Sequence, residues 1–122
     1  MMFVSVLFLA LGVRVNAQDA PPPVDPASQS WQVEVRGVVN PTQRFAFFPD
    51  APGGNTGRWI NFDANGLRGY GLYTWDPISG VLEYVNLSGD GGGNQTGVFS
   101  WTGDSYVRTW ASHPQAPPMR LF

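Results

Sequence analysis

Apolar and polar residues alternate at a period of two through most of this chain, and turn-forming residues interrupt the alternation every 10 to 13 residues or so. Trp31-Gln32-Val33-Glu34-Val35-Arg36 sets the pattern: Trp31, Val33 and Val35 point one way, and Gln32, Glu34 and Arg36 the other. Six further segments follow, at Gln43 to Phe48, Gly57 to Asp63, Arg68 to Trp75, Val81 to Leu87, Thr96 to Trp101 and Ser105 to Ala111. None of them has the 3.6-residue spacing of a helix. Asn65-Gly66 signals a tight turn, and Asp76-Pro77-Ile78-Ser79-Gly80 puts Pro where φ is fixed and Gly where φ is positive. Short strands joined by local turns pair antiparallel with their neighbours, and such a sheet must hide its edges by closing or doubling over. The expected fold is all-β: an antiparallel up-and-down meander closed into a barrel, with a β-sandwich as the alternative.

The first residues bear on compartment. Met1 to Val13 is an apolar run too short to span a bilayer comfortably, and Arg14 ends it. Val15-Asn16-Ala17 then supplies the modest residues of a signal-peptidase site. Residues 1–17 therefore read as a signal peptide cleaved after Ala17, although no Lys or Arg precedes the apolar run. The expected localisation is secreted or periplasmic, with no transmembrane segment in the mature chain. Residues 18–30 hold four prolines and read as an extended linker, residues 31–112 as the β domain, and residues 113–122, with Pro114, Pro117 and Pro118, as a Pro-rich tail.

About 105 residues remain after cleavage, enough for one domain that buries roughly two-thirds of its unfolded surface. There is no cysteine, so packing alone must hold it, and the large side chains for the purpose come from the five Trp, four Tyr and eight Phe of the whole chain, of which only Phe3 and Phe8 precede the cleavage site. All seven cations are Arg; loss of Arg14 leaves six against nine acids. That balance argues against nucleic acid and against adsorption to anionic lipid. The sequons Asn86-Leu87-Ser88 and Asn94-Gln95-Thr96 matter only in a glycosylating host.

Catalytic chemistry finds few candidates. His113 is the lone histidine and precedes Pro114; with no cysteine it cannot head a tetrahedral metal site, and no G-x-S-x-G supplies a nucleophile. Glu34 and Glu83 are the only glutamates, and a glycosidase-like pair would need both to face one cleft. Asp63, Asp76 and Asp104 stand at hairpin corners, where Asp caps its own turn. The Gly-rich loop around Asp90 and Asn94 fits no calcium motif. No metal, cofactor or catalytic residue is expected.

The aromatics are more informative. Alternation places Tyr73 and Trp75 on one side of their strand and Tyr70 and Leu72 on the other; Leu82 and Tyr84 oppose Val81 and Val85; Phe99 shares a face with Trp101, and Tyr106 and Arg108 with Trp110. A sheet wet on one side shows polar residues at every second position, and residues 70–110 do not. Either both faces are covered, or one lines a pocket or platform. Arg108 can stack on a ring, or receive a carboxylate or a sugar hydroxyl. The candidate ligand-binding residues are Tyr73, Trp75, Tyr84, Trp101 and Arg108.

Tyr70 to Trp110 also carries a recognisable layout: Trp75, Asp76, Pro77 and Gly80 in one hairpin, then Gly97, Phe99, Trp101, Gly103 and Asp104 in the next. It resembles the lipocalin-like (calycin) families of secreted bacterial proteins over about a third of the chain. The resemblance implies an up-and-down barrel whose interior holds a small apolar ligand. Two features depart from it: Ser30-Trp31 stands where true lipocalins have Gly-x-Trp, and seven strands fall one short of eight unless Met119 to Phe122 supplies the last. The expected function is an exported binding protein for a small apolar or amphipathic molecule. The alternative is a carbohydrate-binding or adhesin-type module with an exposed aromatic platform for a glycan. An envelope enzyme would gain ground only if Glu83 and Arg108 converged in a cleft.

Overall fold

The computed structural model describes residues 21–88 and 94–122. Eight strands run in chain order: β1 Trp31–Val35, β2 Val38–Pro49, β3 Thr56–Asp63, β4 Gly66–Trp75, β5 Val81–Asn86, β6 Gln95–Trp101, β7 Tyr106–Ala111 and β8 Met119–Leu121. Each pairs antiparallel with the next, and β8 pairs with β1, so the meander closes as a barrel, not a sandwich. The signal peptide expected at residues 1–17 and the centre of the Gly-rich loop, residues 89–93, lie outside the described residues. Among the described residues, no helix is long and apolar enough to cross a membrane.

The eighth strand comes from the segment expected as a tail. Leu121 is fully buried and pairs with Val33 on one side and Tyr106 on the other. On the outer face Arg120 bonds Glu34 at 2.6 Å, joining the last strand to the first. Strand β2 is longer than its alternation predicts. Arg36 (φ 51°) and Gly37 (φ 79°) form a two-residue turn with both central residues at positive φ, the geometry that matches strand twist. Pro41, Thr42 and Gln43 then fall between the β1-paired residues Asn40 and Arg44. Proline, which lacks an N–H, is tolerated at such a bulge. Asn40 Oδ1 accepts from the Thr42 N–H at 3.2 Å and holds the bend.

Part of the expected linker belongs to the barrel. Pro26–Ser28 forms a 3₁₀ turn capped by Asp25, whose Oδ1 accepts from the Ala27 N–H at 2.9 Å. Pro26 is buried, its carbonyl accepts from Trp31 Nε1 at 2.8 Å, and the Val24 carbonyl accepts from the Tyr106 hydroxyl at 2.7 Å. The apolar sides of Val24 and Ala27 pack on the core, so this stretch seals one end of the barrel rather than standing off as a spacer. Trp31, Trp75 and Tyr106 are buried at that end, with Trp101 partly buried beside them. Burial, reinforced by the charge of Asp25, pushes the Tyr106 phenol up to about 12 against a smaller opposing effect from the Trp75 indole.

The hairpin aspartates act as turn caps. Asp63 accepts from the Asn65 N–H at 2.8 Å, Asp76 from the Ile78 N–H at 2.9 Å, and Asp104 from the Ser105 hydroxyl at 2.9 Å. These hydrogen bonds hold all three carboxyl groups below the ordinary value of 3.8.

Candidate functional site

At the end opposite the sealed base, the barrel interior contains a cavity of about 340 Å³. Its composition follows from strand parity. Inward positions of β2, β3, β5 and β6 supply an apolar wall from Phe45, Phe47, Trp59, Leu82 and Phe99. Nearer the mouth, the same strands supply Gln43, Asn61, Asn86 and Gln95. Gln43 Nε2 donates to Asn61 Oδ1 at 2.9 Å, and Asn86 Oδ1 accepts from the Ser88 hydroxyl at 2.5 Å. Arg68 stands at the rim in an ion pair with Asp63 at 2.9 Å.

Interior glycines make the aromatic wall continuous. Trp59 leans from β3 across Gly71 of β4, where a Cβ would lie 2.7 Å from its Nε1, and donates to the Val85 carbonyl of β5 at 3.2 Å. It meets Tyr84 edge-on, with ring centroids 6.0 Å apart. Tyr84 in turn leans across Gly97 of β6, where a Cβ would lie 2.4 Å from its hydroxyl oxygen. Beyond that gap its hydroxyl accepts a hydrogen bond from Arg108 Nη1 of β7 at 3.2 Å. Arg108 Nη2 donates to the Pro117 carbonyl in the β7–β8 connection.

The structure divides the five residues singled out from the sequence. Tyr84 and Arg108 meet on the cavity wall. Tyr73 points inward but is buried against Phe47, ring to ring at 5.1 Å, and burial raises its phenol pKa. Trp75 and Trp101 belong to the sealed base, where Trp101 packs 5.0 Å from the Tyr106 ring. Their indole nitrogens are buried there and close no hydrogen bond of normal geometry.

Trp110 does not share a face with Arg108, contrary to the alternation. Arg108 pairs with Phe99 and Trp110 with Val98, so Thr109 is an extra residue in the ladder and parity flips there. Trp110 is 55% exposed on the outer surface, beside Leu72 and Val98. Glu83 is exposed on the outer face and Glu34 is bonded to Arg120, so neither glutamate lines the cavity and Glu83 does not converge with Arg108. His113 lies in the β7–β8 connection, outside the cavity lining. Among the described residues, no three His, Cys, Asp or Glu side chains cluster as metal ligands.

Fold and cavity together define the class: a closed eight-stranded up-and-down barrel, consistent with the lipocalin-like architecture, with a one-ended internal cavity. Compared with family models, curated proteins and solved structures, the chain matches none.

Proposed function

We propose that this chain is an exported binding protein that holds a small apolar or amphipathic molecule inside a lipocalin-like barrel. The observation that carries the reading is the cavity itself: an aromatic wall, an amide mouth and a volume within the range of small-molecule sites. The leader pattern at residues 1–17 supports export to a secreted or periplasmic location, and the paired hairpins around Trp75 and Trp101 support kinship with the lipocalin-like families. A platform that stacks on glycans would need rings on the outside. Trp31, Trp59 and Trp75 are buried and Trp101 is partly buried, which leaves Trp110 as the outward indole, with Tyr70 and Phe48 as further exposed rings.

Native mass spectrometry of protein recovered from an export fraction, before and after denaturing extraction, tests the reading. A co-purifying small molecule lost on unfolding supports it. A clean mass, combined with no displaceable binding of a fluorescent amphiphile, contradicts it and favours a surface role centred on Trp110.

A further inference from the structure

We infer that the cavity is built for a small monoanion: an amphiphile whose carboxylate seats on Arg108 and Tyr84 while its apolar part lies along Phe45, Trp59 and Phe99. The inference rests on the cavity being the binding site. It starts from charge. Among the described residues, the lining includes two cations, Arg68 and Arg108, and no carboxylate. Arg68 is neutralised by Asp63 at the rim. Arg108 is half-buried, and its hydrogen-bond partners are the phenol of Tyr84 and the carbonyl of Pro117, both uncharged. A guanidinium held partly out of water without a counter-charge is unfavourable, and an incoming anion relieves it.

Donor count points the same way. A guanidinium has five N–H groups, and the two hydrogen bonds described for Arg108 leave others to donate. The Tyr84 oxygen accepts from Arg108, so its own proton is free to donate to a second acceptor. A planar fork beside a phenol O–H matches the two oxygens of a carboxylate. The amides compete less for this role, because Gln43 is already bonded to Asn61 and Asn86 to Ser88. Among the described residues of this wall, a cationic amine has no carboxylate to meet.

Size limits the remainder. At the ~30 Å³ that a water-sized group occupies in a liquid, the cavity accommodates on the order of ten non-hydrogen atoms. Octanoate fits that limit.

The test is calorimetric titration of the full chain at neutral pH with octanoate, octan-1-ol and octylamine, which share a chain and differ in head group. Octanoate is expected to bind about ten- to a hundredfold tighter than the alcohol, the range of a charge-assisted hydrogen bond, and octylamine weakest of the three. In Arg108→Gln the preference for octanoate over octanol disappears while the alcohol still binds. In Tyr84→Phe the preference shrinks severalfold. If octanol binds the wild type as tightly as octanoate, the anion proposal falls and the cavity reading stands. If none of the three binds, both fall. Should Arg108→Gln fail to fold, the wild-type head-group comparison and Tyr84→Phe decide the matter alone.

Discussion

Arg108 Nη1 and the Tyr84 hydroxyl meet at 3.2 Å across Gly97, the residue that separates their strands. A side chain at position 97 would occupy the space through which they meet. The same device recurs one strand pair away, where Gly71 lets Trp59 reach from β3 to the Val85 carbonyl of β5. Two glycines on inward positions thus set the shape of the wall that any ligand would touch.

Gly97→Ala tests that relationship. Its Cβ would lie 2.4 Å from the Tyr84 oxygen, so the ring must move. Overpacking of this kind costs roughly 1–3 kcal/mol. Urea denaturation should show a loss of that size, and octanoate affinity should fall toward that of Tyr84→Phe. Unchanged stability with unchanged affinity would show that the gap has no role.

The sealed base makes a second prediction. A chain beginning at Gln29 lacks the Pro26 and Val24 carbonyls that accept from Trp31 Nε1 and Tyr106. A buried donor left without an acceptor costs about 1–3 kcal/mol, so the two together remove a large part of a typical domain's stability. The urea midpoint should drop sharply and tryptophan emission should shift to the red. A truncated chain as stable as the full one would mean that residues 23–28 merely rest on the barrel.

Closure through β8 separates two substitutions on that strand and its neighbour. Leu121 is fully buried, and Leu121→Ala should cost about 2–5 kcal/mol and accelerate amide exchange along the β1–β8 seam. Glu34→Gln removes a partly exposed ion pair with Arg120 and should change stability by no more than about 1 kcal/mol. Equal effects would contradict the placement of the seam's strength in its buried side.

Stability should be flat through neutral pH and fall at both extremes. The Tyr106 phenol sits at about 12 in the folded chain and at 10.0 ordinarily, so the unfolded chain releases that proton first. Stability is therefore intact below pH 10 and lost as pH rises from 10 toward 12, with Tyr73 acting in the same direction. Asp63, Asp76 and Asp104 are held below 3.8, so the stability they contribute is present above that value and lost as pH falls beneath it. Urea midpoints across pH should trace this plateau; midpoints that hold steady from pH 10 to 12 would contradict the burial of Tyr106.

Much of the barrel was legible in the alternation. Parity correctly separated Tyr73 and Trp75 from Tyr70 and Leu72, and the structure makes the first pair's face the interior, but the alternation alone did not say which face turns inward because both are apolar. It failed at Trp110 because an extra residue at Thr109 reverses the face, and a bulge leaves no mark on composition. The first half of β2 was missed because Arg36 is an unusual occupant of a positive-φ turn position. β8 was legible only as a possibility: three residues are too few to show a period, and tertiary pairing makes the strand. The amide mouth was present in the sequence and not read. Gln43 and Gln95 lie toward the starts of their strands' inward rows, and Asn61 and Asn86 toward the ends. In an antiparallel meander those positions fall at the same end of the barrel.

The most direct measurement of the central claim is a two-dimensional ¹⁵N NMR titration that follows the five tryptophan indole N–H resonances as octanoate is added. If the cavity is the binding site, the Trp59 resonance shifts saturably, while Trp31 at the sealed base and Trp110 on the outer face stay in place. A saturable shift of Trp110 with Trp59 unmoved would contradict the account and place binding on the outside of the barrel.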